Sequence, residues 1–378
     1  MSNLFDYLKW RGDLDFVQSP LNPVDNIILC QIAYLPFDGI VPGPEEKQTI
    51  SVKDAIEILY KKMHNKDASR AATQNAANAE LHFVHRPDPA LVNALRPASR
   101  FGNCRLCGYV NQIDTERELQ FSALCINTGD GSWFVAYRGT DMTFVGWKED
   151  FNMSFNEVVP AQLAAVDYLE EMAKKTNGPL RIGGHSKGGN LAIYAASQCC
   201  KKIQRRITAV YSNDSPGFHK RFIAGEGYAA VRERIHAFIP QSSVVGMLLE
   251  RGNDYTVIKS SQAGLLQHEM YTWEVTHNDM VRVDDITLVS RFVDKTLREW
   301  IAALDNTHRE QFIGALYTIL SASQAKSIHE LERSWPQSVG RMLQSLGEID
   351  DPTKQLIGKA LGAFLQSARN NIHTLLKK

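Results

Sequence analysis

The sequence predicts an α/β protein with a mostly parallel central sheet covered by helices on both faces. From residue 119 to 275, runs rich in β-branched and aromatic residues alternate with segments whose apolar residues recur three and four positions apart. Alternation at this spacing is typical of strand–helix–strand units, which build parallel sheets. The first two β-rich runs are joined by "TGDG" at 128–131, a strong hairpin signal, so the sheet is predicted to be mixed.

Each element can be placed along the chain from its pattern. Residues 1–115 are predicted to be a helical N-terminal part, with helices at 23–35, 51–65 and 68–85. Predicted strands lie at 119–127, 132–139, 180–184, 207–213, 235–240 and 255–261. Predicted helices lie between them at 161–176, 188–202 and 217–225. Residues 1–290 would then form one domain with its sheet in 116–290, and 291–378 a C-terminal helical extension packed on the core.

Composition narrows the class of protein. The 378 residues are 44% hydrophobic and 22% charged, and 42 basic residues balance 42 acidic ones, so nothing favours a nucleic-acid partner. No run approaches the length of an uncharged membrane span, and the charged first sixteen residues do not resemble a signal peptide, so we expect a cytoplasmic protein without a transmembrane segment. The oligomeric state is left open.

The six cysteines do not suggest a disulfide framework. Cys104 and Cys107 form a single C-x-x-C pair, and no second pair of ligands follows at suitable spacing, so no metal site is predicted.

The segment "RIGGHSKGGN" at 181–190 contains a G-x-S-x-G pattern made by Gly184, Ser186 and Gly188. A predicted strand precedes it and a predicted helix follows, which is the context of a nucleophilic serine on a sharp turn. Glycines on both sides let neighbouring chain pass, and the helix N-terminus offers N–H groups to a developing oxyanion. A strand–helix junction in any α/β protein can also carry glycine and serine, so this motif needs support from elsewhere.

Support comes from a segment before this motif and from further motifs along the chain, which resemble known families. "FVAYRGTD" with "VGWKEDF", at 134–151, resembles the oxyanion strand of class 3 lipases. This resemblance implies that Thr140 supplies one oxyanion-hole N–H and Lys187 the second, with Trp147 and Asp150 structural.

Further motifs extend the resemblance over roughly residues 1–290. "YLKWRGDLDF", "GGHSKGGNLA", "VYSNDSPGF", "FIPQSSVVGMLL" and "QHEMYTWEV", in this order, together resemble the bacterial Mbeg1-like family, which is related to class 3 lipases. The resemblance implies an α/β-hydrolase fold.

A serine hydrolase also needs a base, which in this fold comes late in the chain. His268 is the best candidate because it lies in a loop between the predicted strand at 255–261 and the last β-rich segment, "MYTWEV" at 270–275. His277 is the second choice, whereas His236 is predicted inside a strand and His219 in a short helix.

The acid departs from the class 3 pattern. The matching place after the next-but-one strand holds Ser242 and Ser243 and no carboxylate. Asp214, at the end of the strand that follows the nucleophile strand, is the preferred acid, and its position resembles that in pancreatic-type lipases. The alternative is that Asp214 caps the "SPGF" turn. Asp254 is a poorer candidate because it begins a strand, at the wrong end of the sheet.

These residues predict a lipase- or esterase-like serine hydrolase that needs no metal or organic cofactor and acts on a small acyl ester or lipid. Ser186, His268 and Asp214 would form its triad. A catalytically inactive hydrolase-fold protein that binds a ligand or a partner remains the alternative. A thioesterase or peptidase would use the same triad.

Overall fold

The computed structural model describes residues 2–64, 88–140, 149, 152–153, 156–252, 255–262, 264–303 and 351–371. The predicted helix at 68–85 lies outside these residues, and so do Trp147, Asp150 and Asp254. Residues 304–350 of the predicted C-terminal helical extension are outside them as well.

A single eight-stranded sheet runs through the molecule, with its strands in the same order as in the chain. Neighbours are antiparallel from β1 to β4 and parallel from β4 to β8, which confirms the mixed sheet and the α/β-hydrolase fold. The strands are β1 (Ile50–Ser51), β2 (Arg105–Asp114), β3 (Leu119–Asn127), β4 (Trp133–Tyr137), β5 (Leu180–His185), β6 (Ile207–Asn213), β7 (Ile235–Pro240) and β8 (Tyr255–Ile258). A separate hairpin pairs β9 (Val275–Thr276) with β10 (Asp279–Met280).

Helices precede, connect and follow these strands. Those of the N-terminal part are α1 (Leu4–Arg11), α2 (Pro23–Ile32), α3 (Val52–His64), α4 (Pro89–Leu95) and α5 (Ser99–Gly102). Those among the parallel strands are α6 (Pro160–Lys175), α7 (Lys187–Gln198), α8 (Lys201–Gln204), α9 (Lys220–Ile223) and α10 (Glu226–Val231). The C-terminal ones are α11 (Leu288–Ala303) and α12 (Asp351–Asn371).

The sheet separates two hydrophobic cores, and β4 shows how the sequence sorts its side chains between them. Phe134 and Ala136 pack in the core formed with the N-terminal helices, whereas Val135 and Tyr137 pack in the core formed with α6 and α7. Successive residues of a strand point to opposite faces, so a continuous apolar run is what a strand covered on both sides requires.

A buried ion pair fixes the N-terminal helices together. Arg100 donates two hydrogen bonds to the Asp25 carboxylate, at 2.8 and 2.6 Å, and both side chains are fully buried. The Tyr7 hydroxyl donates a third, at 2.9 Å. A bidentate pair satisfied in this way is specific in geometry and costly to break from one side.

Three elements differ from the sequence prediction. Strands β1 and β2 lie inside the part predicted to be helical, so the sheet begins earlier than predicted. The regularity of β2 is interrupted by a bulge at Gly108, where φ is +64°, and this hides the strand's periodicity. The helix predicted at 188–202 is two helices, α7 and α8, with buried Cys199 and exposed Cys200 between them.

The start of α11 is tied to the loop after β7. Ser290 Oγ donates to the Ser243 carbonyl at 2.6 Å, and the Thr287 N–H donates to the Gln241 carbonyl at 2.7 Å. The division of the chain at residue 290 stays a prediction. Across the part of the chain that the structure describes, no helix is long and apolar enough to cross a membrane.

Candidate active site

Ser186 lies on the turn between β5 and α7, with φ 56° and ψ −133°. Positive φ is rare for a residue with a side chain and marks a strained turn. The turn is held by the Ser186 N–H, which donates to the Asn213 carbonyl at 3.0 Å. The predicted strand–turn–helix context is therefore present.

The glycines of the motif are required by close backbone approaches. A methyl group added at Gly184 would lie 2.2 Å from the carbonyl of Gly188, and one added at Gly188 would lie 2.2 Å from the carbonyl oxygen of Tyr137. No side chain fits at such distances, so α7 can begin this close to β4 and β5 only with glycine at both positions.

The pairing of β5 with β6 brings Ser186 and Asp214 to the same edge of the sheet. His185 is in register with Asn213, and the two candidate residues each come one position later. Asp214 also has a positive φ, 45°. Two adjacent strained residues at the carboxyl edge of a parallel sheet are typical of a functional site in this fold class.

The Asp214 carboxylate is bonded to His268. Asp214 Oδ2 lies 2.7 Å from His268 Nδ1, and the aspartate side chain is 1% exposed. Its other oxygen, Oδ1, accepts from Ser243 Oγ at 2.5 Å and from the Gly246 N–H at 3.1 Å. The carboxylate thus joins loops after β6, β7 and β8, and these partners are not those of a cap on its own "SPGF" turn.

Ser243 fills the position where the class 3 pattern would have its acid. Its hydroxyl donates to Asp214 and accepts from the Gly246 N–H at 2.8 Å, so it orients the Asp214 carboxylate. Sequence reasoning treated Ser243 only as a missing carboxylate. The available signal was that Ser243 follows the strand next to the one that ends at Asp214, which predicts that its hydroxyl can reach the carboxylate.

His268 ends a short 3₁₀ helix, Gly264–His268, between β8 and β9. Its side chain is 27% exposed, so one edge of the ring is accessible while Nδ1 faces Asp214. Ser186 Oγ has no hydrogen bond to any residue in the described ranges, so the Asp214–His268 bond is the assembled part of the predicted triad.

The end of β4 passes beside Ser186. A methyl group added at Gly139 would lie 3.0 Å from Ser186 Cβ and 2.6 Å from the His185 carbonyl oxygen. Thr140 follows directly and is half-buried. The residue predicted for the oxyanion hole is therefore next to the strand end that contacts the serine turn.

The sequence profile of the Mbeg1-like family matches residues 95–318, more than half of the chain. The chain belongs to the Mbeg1-like family. No protein with a curated description matches it.

Solved structures similar to this Mbeg1-like protein include lipases at low identity. The native Rhizomucor miehei lipase propeptide complex is 12% identical, covering 61% of this chain and 83% of that one, with a TM-score of 0.35. The lipase from Rhizopus microsporus var. chinensis is 12% identical, with coverage of 59% and 84% and a TM-score of 0.34. M37 lipase is 13% identical, with coverage of 52% and 70% and a TM-score of 0.31.

Lys187 of this Mbeg1-like protein has a second feature that the sequence did not predict. Its buried Nζ donates to Glu149 Oε2 at 2.8 Å and to Gln120 Oε1 at 2.7 Å. Glu149 Oε1 in turn accepts from the Ala161 N–H at 2.9 Å, in the first turn of α6. Glu149 thus accepts hydrogen bonds from both the lysine and the helix N-terminus. This network fixes the start of α7 relative to β3 and α6.

The alternative histidines have other partners. His236 is on β7 and stacks on Tyr211, with ring centroids 5.3 Å apart. His219 Nε2 contacts two main-chain carbonyls before α6. His277 lies in the β9–β10 turn, where its ring meets Trp10 edge-on.

The two cysteines of the C-x-x-C pair point into different cores, Cys104 with the N-terminal helices and Cys107 with α6 and α7. Within the described ranges, no cluster of three or more potential metal ligands is present.

Proposed function

We propose that this Mbeg1-like protein is a serine hydrolase that cleaves acyl esters, with Ser186 as nucleophile, His268 as base and then acid, and Asp214 as the carboxylate that orients His268. The observation that carries this proposal is the 2.7 Å hydrogen bond between Asp214 and His268, formed at the sheet edge where Ser186 has its strained backbone. A histidine whose Nδ1 is held by a buried carboxylate has Nε2 left to take a proton.

The proposed reaction passes through an acyl-serine intermediate. Ser186 Oγ attacks the ester carbonyl while His268 Nε2 takes its proton, and the N–H groups of Thr140 and Lys187 stabilise the oxyanion. The tetrahedral intermediate collapses, and His268 returns the proton to the leaving alcohol. Water then attacks the acyl-serine with the same base, which releases the acid and restores Ser186.

Labelling with a fluorophosphonate probe tests the nucleophile. The wild-type protein should be labelled and Ser186→Ala should not, because the probe forms a bond with an activated serine oxygen. Ser197→Ala is the matched control: its hydroxyl donates to the Ile193 carbonyl inside α7, so the same change is made away from the turn. Equal labelling of wild type and Ser186→Ala would contradict Ser186 as the nucleophile, and no labelling of the wild type would favour a non-catalytic binding protein.

A panel of p-nitrophenyl esters of increasing acyl length, compared with a thioester and an anilide, defines the substrate class. The proposal expects the highest kcat/KM within the oxygen-ester series. Preference for the thioester or the anilide would assign the same triad to a thioesterase or peptidase.

A further inference from the structure

A tyrosine from the N-terminal part of the chain enters the site from behind the serine turn. Tyr34 lies two residues after α2, and its hydroxyl oxygen is 3.0 Å from the Gly139 N–H. The same hydroxyl is 3.1 Å from His185 Nδ1 and 3.4 Å from the His185 carbonyl oxygen. Tyr34 therefore joins the end of the predicted oxyanion strand to the residue before Ser186.

His185 extends this connection to the base. Its Nε2 is 2.8 Å from the carbonyl oxygen of His268, and the two imidazole rings stack with centroids 4.4 Å apart at 36°. The His268 main chain is thus held by His185, while the His268 side chain is held by Asp214. The main chain and the side chain of the proposed base are therefore held by different residues.

The contacts of a neutral His185 fix which atom donates and which accepts in each hydrogen bond. A carbonyl oxygen only accepts, so His185 Nε2 must carry the proton. In the neutral ring Nδ1 is then an acceptor, and the Tyr34 hydroxyl donates to it over the shorter of its two contacts. The Tyr34 oxygen is left to accept from the Gly139 N–H. Burial lowers the pKa of His185 well below its usual value, which keeps the ring neutral.

We propose that Tyr34 and His185 are positioning residues that couple the oxyanion strand to the His268 loop, so that the oxyanion donor and the base are set by one hydrogen-bonded chain. This inference rests on the proposed function. Neither residue forms a bond or transfers a proton in the proposed reaction. The Gly139 N–H donates to the Tyr34 oxygen at 3.0 Å, and a Gly139 methyl would lie only 2.5 Å from that oxygen, so the backbone at Gly139 lies directly against Tyr34.

Steady-state kinetics on a p-nitrophenyl ester test the coupling. Tyr34→Phe should lower kcat about tenfold and His185→Leu about a hundredfold, both with KM nearly unchanged, because misplaced catalytic groups slow the chemical step more than binding. His185→Gln, which keeps a donor for the His268 carbonyl, should recover most of the loss. The double variant Tyr34→Phe/His185→Leu should be no slower than His185→Leu, since both changes break the same chain.

Tyr168→Phe is the matched control. Its buried hydroxyl donates to the Gly108 carbonyl at 2.7 Å, away from the serine turn, so its loss costs a comparable hydrogen bond without touching the site. Its kcat should stay within about twofold of wild type. Additive losses in the double variant, or a loss confined to KM, would overturn the coupling.

The tautomer of His185 gives a second test that needs no activity and no variant. In protein with ¹⁵N-labelled histidine, His185 should show a protonated Nε2 and an unprotonated, hydrogen-bonded Nδ1 throughout the pH range in which a free imidazole titrates. An Nδ1-protonated or doubly protonated His185 would overturn the proposal. If wild-type protein failed both ester hydrolysis and fluorophosphonate labelling, the proposed function would fail. The spectrum would still show whether the hydrogen bonds from Tyr34 through His185 to His268 are formed.

Discussion

Asp214 uses its two carboxylate oxygens for different partners. Oδ2 faces His268, and Oδ1 accepts from Ser243 and Gly246. The charge is buried, but it is compensated by three donors, which is what keeps such a group from being prohibitively unfavourable. In the proposed mechanism this carboxylate selects the histidine tautomer and stabilises the imidazolium.

Asp214→Asn should lower kcat by about three to four orders of magnitude, because the amide keeps the shape but removes the charge and can favour the wrong tautomer of His268. Ser243→Ala should cost only about tenfold, the value of one hydrogen bond to a charged group. Both are measured as kcat on a p-nitrophenyl ester, with urea unfolding to verify that each variant is folded. Near-normal turnover of Asp214→Asn would remove it from the triad.

His185 should make the stability of the protein depend on pH. Burial lowers its pKa in the folded state, whereas in the unfolded chain the pKa is near 6.5, so between these values only the unfolded state binds the proton. This contribution is fully present above pH 6.5 and is lost as the pH falls below it, by at most about 1.4 kcal/mol per pH unit.

Urea unfolding of wild type and His185→Gln between pH 7 and 5 measures this effect as the difference between their slopes. The pKa of His236 is also lowered by burial, but it contributes equally to both proteins and cancels. Parallel slopes for the two proteins would mean that folded His185 titrates normally.

At the scale of elements, the position of α2 against β5 depends on Gly183. A methyl group there would lie 2.7 Å from the Phe134 ring, 3.1 Å from Asn26 Oδ1 and 3.2 Å from Cys30 Sγ. Asn26 and Asn213 also exchange amide hydrogen bonds, at 2.9 and 3.1 Å, which joins α2 to the end of β6. The helix that leads to Tyr34 therefore packs directly on β5, the strand that precedes Ser186.

Gly183→Ala should lower the free energy of unfolding by about 1–3 kcal/mol, because α2 or the Phe134 ring must move to admit the methyl group. Gly102→Ala is the control, since its nearest neighbour would be Lys53 Cβ at an ordinary 3.5 Å. Urea midpoints compare the two variants. An equal, small effect in both would show that α2 is not packed tightly on β5.

At the scale of the whole molecule, the family match begins at residue 95, whereas the hydrophobic core also includes residues that precede it. Residues of α1, α2 and α3 share one buried cluster with side chains of β2, β3 and β4. The buried Asp25–Arg100 pair also crosses that boundary. The N-terminal part is thus one face of the hydrolase fold.

A fragment of residues 95–318 should therefore lack a cooperative unfolding transition under conditions in which the full chain shows one. It would expose the apolar sheet face that α2 covers and remove the Asp25 carboxylate that pairs with Arg100. Near-UV circular dichroism during urea unfolding measures this. A sharp transition at the wild-type midpoint would show that the sheet folds without its N-terminal cover.

Local patterns were enough to predict the parallel strands, the β3–β4 hairpin, the serine turn and the mixed α/β sheet, whereas the α/β-hydrolase fold came from the family resemblance. Each rests on interactions between residues close in sequence, such as the alternation along a strand or the close passage of Gly184 and Gly188. Strand β2 was missed because its bulge at Gly108 breaks the period on which such prediction depends.

The sequence by itself determined the fold class and put Ser186, Asp214 and His268 forward as candidates. Only the tertiary structure decided that Asp214 bonds His268, that Ser243 supports the carboxylate and that Tyr34 reaches the serine turn. These partners are separated by 54, 29 and 151 residues. The physical reason is that such contacts arise from how strands are ordered and which helix covers which face, and no local pattern specifies them.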